Sequence, residues 1–123
     1  KNLETKISSI EGRFKLSKKY IDVHNNNSKL IVDSVYGKIY PSALIKYSRE
    51  YYYFKQLRIT IDTKIHYTDV RHNLMMGAYD NDDVLEVKTD HKTSNDYIEK
   101  IIPYPTSRFS KYCRGISFLS GMI

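Results

Sequence analysis

Residues 57–63 read Leu57-Arg58-Ile59-Thr60-Ile61-Asp62-Thr63. Successive side chains of a strand point to opposite faces, so Arg58, Thr60 and Asp62 share one face, and Leu57, Ile59, Ile61 and Thr63 the other. β-branched side chains dominate, which suits a pleated, half-buried segment. The polar face carries both a cation and an anion in mid-strand. Val84-Leu85-Glu86-Val87-Lys88 repeats the pattern, with Glu86 and Lys88 opposed to Leu85 and Val87. The fold turns on whether these charged faces look out to solvent or in to a shared cavity.

Immediately upstream, residues 42–54 alternate as a strand, with Ala43, Ile45, Tyr47, Arg49 and Tyr51 on one face. Lys55-Gln56 then makes a short connection, giving a meander. Further upstream, residues 3–7 and 13–20 alternate about Glu11-Gly12 and predict a hairpin with a cationic polar face. Asn25-Asn26-Asn27-Ser28 is suited to cap a short helix over residues 29–36, ended by Gly37. Downstream, residues 69–83 read as loop, and Asp80-Asn81-Asp82-Asp83 as a solvated turn whose spacing does not match an EF-hand. Thr93 with Asp96 resembles a capping box, opening a helix with Tyr97, Ile98, Ile101 and Ile102 on its apolar stripe and Pro103 at its end. Ser107 is expected to cap a last helix, with Tyr112, Cys113, Ile116, Leu119 and Ile123 toward a core. The expected fold class is α+β: antiparallel strands with polar inner faces, and helices covering apolar outer faces. That inverts the usual small barrel, whose interior is filled by side chains.

A chain of 123 residues is long enough for one domain with a real core, expected here over residues 1–123. A formal charge of +6 suggests an anionic partner. Cys113 is the only cysteine, which excludes an internal disulfide and fits a reducing compartment. No apolar run approaches the roughly 20 residues of a membrane span, so a cytoplasmic location is expected. His24, His66, His72 and His91 lack metal-ligand spacing and read as surface or loop residues. Tyr51-Tyr52-Tyr53-Phe54 could stack on bases, but alternation sends neighbouring rings to opposite faces, which favours packing. Nucleic acid is not an expected partner, although a module that docks a polyanion, nucleic acid included, without turnover is the alternative reading.

The order of these segments resembles a known family. Tyr47-Ser48-Arg49-Glu50, then residues 57–63, then Leu85-Glu86-Val87-Lys88 and Phe109-Ser110-Lys111-Tyr112 together look like the VTC domain of vacuolar transporter chaperone proteins. Leu3-Glu4-Thr5-Lys6, with Gly12-Arg13 and Lys15, fits the family's earlier Leu-Glu-x-Lys strand. Each motif alone is weak; the ordered series over nearly the whole chain is fairly specific. The resemblance implies an antiparallel β tunnel (a triphosphate-tunnel barrel) lined by Lys, Arg and Glu, with helices packed outside. It implies phosphoryl transfer on ATP, triphosphate or polyphosphate with a divalent cation, Mn2+ or Mg2+. It assigns phosphate contact to Lys6, Arg49, Arg58 and Lys111, with Lys88 and Lys15 as further candidates, and metal binding to Glu86. The family's first tunnel strands, with further acidic ligands and an Arg-x-Arg pair, are not among these residues, so an incomplete tunnel is expected.

Physical chemistry suits those roles. A phosphate chain needs several fixed cations to replace its water. Arginine's planar fork fits two phosphate oxygens, while lysine acts as a point charge. A carboxylate such as Glu86 suits a hard cation. From alternation alone, Glu86 and Lys88 would read as a solvated surface pair; the ordered match reverses that preference. Asp62 is a candidate to hold one of the arginines in place. Lys111 near a helix start is unfavourable for a cation, because the helix dipole repels it there, and a phosphate bound nearby would account for it.

Overall fold

The computed structural model describes residues 2–9, 12–19, 31–71 and 76–121. They fall into two compact units, Lys1–Tyr40 and Pro41–Ile123. In the first, β1 (Asn2–Ser9) and β2 (Gly12–Lys19) form the expected hairpin, with Ser9 opposite Gly12 and Lys6 opposite Lys15. The helix expected over residues 29–36 is replaced by a second hairpin, β3 (Ile31–Asp33) and β4 (Gly37–Ile39). The cause is local. The Asp33 carboxylate accepts from the backbone N–H of Val35 and Tyr36, at 2.9 and 3.0 Å, closing a turn. Gly37, at φ +72°, takes the left-handed position of that turn, not of a helix C-terminus. The capping residues 25–28 proposed for that helix lie outside the described residues.

The second unit is built on β5 (Ala43–Phe54) and β6 (Leu57–Asp69), joined at Lys55-Gln56. Both turn residues have positive φ, 46° and 67°, as a tight two-residue hairpin turn requires. On its other edge β6 pairs with β7 (Gly77–Tyr79) near one end and β8 (Val84–Lys88) near the other. β7 lies inside the segment expected to be loop. Pairing with β6 carries it: Tyr67 stands opposite Ala78, and a side chain at Gly77 would meet the His66 ring at 2.6 Å. His66 is accordingly a half-buried strand residue beside Tyr79, not a loop histidine. Two helices follow, α1 (Asn95–Ile101) and α2 (Lys111–Leu119). Their caps are Ser94 and Ser110, displacing the expected Thr93 and Ser107. Thr93 is instead turned toward Asp90, to which its N–H and hydroxyl both donate.

The fold is thus α+β with antiparallel sheets. Among the described residues the sheets stay open and none closes into a barrel. The helices also differ from expectation in where they pack. In β6 the register slips by one residue, so that Tyr47 of β5 faces both Lys64 and Ile65, with Lys64 at φ 51°. That bulge keeps Ile65 and Tyr67 on the same face as Asp62. α2 lies on this face: Phe118 stacks on Tyr67 with centroids 5.7 Å apart, and Gly115 is buried against the Tyr67 ring. Leu57, Ile65 and Tyr67 are fully buried. Tyr112 and Cys113, expected in the core, are exposed on the far side of α2. α1 reaches the β5–β6 turn, where the Tyr97 hydroxyl donates to the Lys55 carbonyl at 3.0 Å.

Gly115 offers a test of this packing. A Cβ there would sit 2.6 Å from Cδ1 of Tyr67. Alanine gains about 1 kcal/mol in helix propensity but overpacks a filled contact, at a cost of about 1–3 kcal/mol. Gly115→Ala is expected to lower the urea midpoint; a raised midpoint would mean that α2 does not approach Tyr67 so closely.

Candidate functional site

Pairing register places the candidate residues. On one face of the sheet, Asp62 lies between Arg49 of β5 and Val84 of β8. One row on, Thr60 lies between Tyr51 and Glu86; the next row sets Arg58 between Tyr53 and Lys88. Rows of one face are about 7 Å apart. Pairing therefore brings Arg49, Arg58, Glu86 and Lys88, each on the face that alternation gave it within its own strand, to one face of the sheet, and it is the face on which α2 sits. Leu85 and Val87 point the other way, with Ile59 and Ile61.

At one end of this face Asp62 is the centre. Its side chain is 0% exposed, and both its oxygens are engaged. Arg49 donates from Nε to Oδ1 at 2.5 Å and from Nη2 to Oδ2 at 2.7 Å, a two-pronged pair. Lys111, the first residue of α2, places Nζ 2.5 Å from Oδ2. The Tyr47 ring lies under both cations, 5.0 Å from the Arg49 guanidinium and 4.9 Å from Lys111 Nζ. Hydrogen bonding from Arg49, aided by Lys111, holds the Asp62 pKa below its ordinary value, against desolvation that pushes it up. The same bond pushes the Arg49 pKa up. The sequence marked Asp62 only as a possible anchor for one arginine. The structure gives it an arginine and a lysine, and Asp62 is the partner that holds a cation at the unfavourable first position of α2.

At the other end, Arg58 is exposed and has no ion pair among the described residues. It lines a shallow depression with Tyr53, Gln56, Thr89 and Asp90. Lys88 is also exposed and lies 3.3 Å from Glu86. Between the ends, Thr60 Oγ1 is buried without a hydrogen-bond partner among the described residues, beside Glu86. In the first unit, Lys15 is exposed and pairs with Glu4 at 3.2 Å; the Lys6 side chain lies outside the described residues. Lys6 and Lys15 are thus described only within their own hairpin.

A family model, the VTC domain, matches residues 3–120. The chain belongs to the VTC domain family. No match was found among curated proteins or among solved structures. Membership ties the chain to the polyphosphate theme of that family. No described helix of this VTC domain is long and apolar enough to cross a membrane.

The family implies a divalent cation. The described residues do not fit one held by the protein alone. A hard cation takes about six oxygens, whereas Glu86 is the one carboxylate that β8 sets on this face, both Asp62 oxygens are taken, and Asp90, beside Arg58, already accepts from the backbone N–H of Lys92 and Thr93. Among the described residues no group of three His, Cys, Asp or Glu side chains could hold a metal.

A second polar cluster was missed in the sequence. Asp80, read as part of a solvated turn, has a 0% exposed side chain. It accepts from Arg114 Nε at 2.7 Å and Nη2 at 2.9 Å, and from the Tyr67 hydroxyl at 2.7 Å. Arg114 also reaches Asp82. The cluster fastens α2 to the sheet, and so holds Lys111 over Asp62.

Proposed function

We propose that this VTC domain binds a linear phosphate chain (ATP, triphosphate or polyphosphate) along the Arg49 face. The full protein would use that binding for metal-dependent phosphoryl transfer of the polyphosphate-polymerase kind. The observation that carries the reading is the shared face: Arg49, Arg58 and Lys88 come from three strands, and Lys111 from a helix, yet all address one surface. The Asp62 and Arg58 rows stand about 13 Å apart along the strand. A single phosphate cannot span that interval, whereas a chain of phosphates can. Arg58, exposed and without an ion pair among the described residues, offers its fork to two phosphate oxygens. Lys6 and Lys15 are proposed as further phosphate contacts and Glu86 as a ligand to Mn2+ or Mg2+, on the strength of the family pattern.

A second reading is binding without turnover, supported by the small acidic donor set on the face. One assay separates them: consumption of ATP and of tripolyphosphate by the full-length protein, with and without manganese. Catalysis predicts metal-dependent phosphate release or polymer growth, abolished by Glu86→Gln. Binding alone predicts salt-sensitive affinity for tripolyphosphate and no metal-dependent consumption. Absence of tripolyphosphate binding at low salt would remove both.

A further inference from the structure

We infer that Asp62 is a positioning residue, locking Arg49 and Lys111 into one preformed cation pair for the phosphate chain. The inference rests on the binding reading above. Charge balance motivates it. One cation would neutralise Asp62, and the bidentate Arg49 pair already does so. The structure adds a second, Lys111, at a helix start where a cation is disfavoured. Both are largely withdrawn from solvent, with Arg49 24% and Lys111 18% exposed. The result is a surplus positive charge, fixed in place, that nothing among the described residues neutralises.

Geometry makes the pair rigid. Arg49 is held on a strand and Lys111 on a helix; they share one carboxylate, and the Tyr47 ring lies against both. Neither long side chain is free to sample its rotamers, so little ordering entropy remains to be lost on binding. Arg49 and Lys111 keep N–H donors that Asp62 does not use. An anion arriving on this face would meet those donors on side chains already fixed in place.

Charge counting and positioning predict opposite signs for one variant. Asp62→Asn removes a negative charge from beneath the face. If Asp62 only dilutes the positive field, tripolyphosphate should bind more tightly. If it positions the pair, binding should weaken, by about tenfold or more, despite the added net charge. Titration calorimetry of the full chain with tripolyphosphate reads this directly, with near-UV circular dichroism checking the fold. Arg49→Gln, Lys111→Met and their double variant decide the matter without touching Asp62. A shared lock predicts that the double variant loses less than the product of the two single losses, because either change already loosens the other cation. Tighter binding by a folded Asp62→Asn, or strictly multiplicative losses, would overturn the inference while leaving the binding reading intact. Wild-type chain that binds no tripolyphosphate would instead remove that reading.

Discussion

Replacing Asp80 with alanine is expected to lower the stability of the Pro41–Ile123 unit by about 2–4 kcal/mol. Breaking a buried pair by removing one partner typically costs about 3–5 kcal/mol, because the remaining charge is left uncompensated. The Asp80 side chain is fully buried, but that of Arg114 is 26% exposed, so water recovers part of that loss. Tyr67 contributes to the cost, since its buried hydroxyl loses its acceptor. The loss should be concentrated in α2, whose contacts with the sheet include Phe118 and Gly115 on Tyr67, Lys111 on Asp62, and Arg114 on this carboxylate. Urea unfolding followed by far-UV circular dichroism and by tyrosine fluorescence is the check. An unchanged midpoint would mean that Asp80 is solvated after all.

The same carboxylate sets an acid dependence. Desolvation pushes the Asp80 pKa up, but hydrogen bonds from Arg114, Tyr67 and the Asp82 backbone together hold it below its ordinary value of 3.8. Asp62 is lowered as well. A depressed folded pKa gives stability that is fully present above the unfolded value and lost as pH falls through the folded one. Melting temperature should therefore fall below about pH 4, and fall less steeply in Asp80→Asn than in wild type.

Alternation made the sheet legible. Leu57-Arg58-Ile59-Thr60-Ile61-Asp62-Thr63 and Val84-Leu85-Glu86-Val87-Lys88 each fixed which residues share a face, and pairing then set Arg58 beside Lys88 and Thr60 beside Glu86. What alternation does not carry is a change of phase. Lys64 takes a left-handed backbone with no glycine to announce it, and that bulge is what places Tyr67 on the Asp62 face and draws α2 there. Side-chain partners distant in sequence were equally silent. Asp80 and Arg114 are 34 residues apart, and nothing local distinguishes a buried Asp80 from the exposed Asp82 and Asp83 beside it. The segment ending at Gly37 failed for a different reason. A glycine after an apolar run suits both a helix end and a hairpin turn, and Asp33 chose the turn by bonding two backbone N–H groups. The candidate site was therefore readable where it depends on strand register. It was unreadable where it depends on Asp62 joining a strand to a helix.

Arg58→Ala is expected to weaken tripolyphosphate binding by about ten- to a hundredfold with almost no change in stability. A hydrogen bond to a charged group contributes about 1.5–3 kcal/mol net, and each 1.4 kcal/mol is tenfold in affinity. Arg58 is exposed and unpaired among the described residues, so its removal breaks no ion pair described there; the unfolding midpoint should move by no more than about 0.5 kcal/mol in free-energy terms. Lys88→Ala should cost less, since Lys88 already shares its charge with Glu86. Affinity measured against salt separates a specific contact from general attraction. Loss of one phosphate contact should reduce the slope of log affinity against log salt by about one. Arg58→Lys should retain most of the slope while losing affinity, because a point charge replaces the fork but not its two aimed donors. Lys46 supplies the control: it is exposed on the same sheet but on the opposite face, paired in register with His66. If Lys46→Ala weakens binding as much as Arg58→Ala, net charge and not the Arg49 face attracts the phosphate chain. If only Arg58→Ala does, the chain lies where the register of β5, β6 and β8 puts the cations.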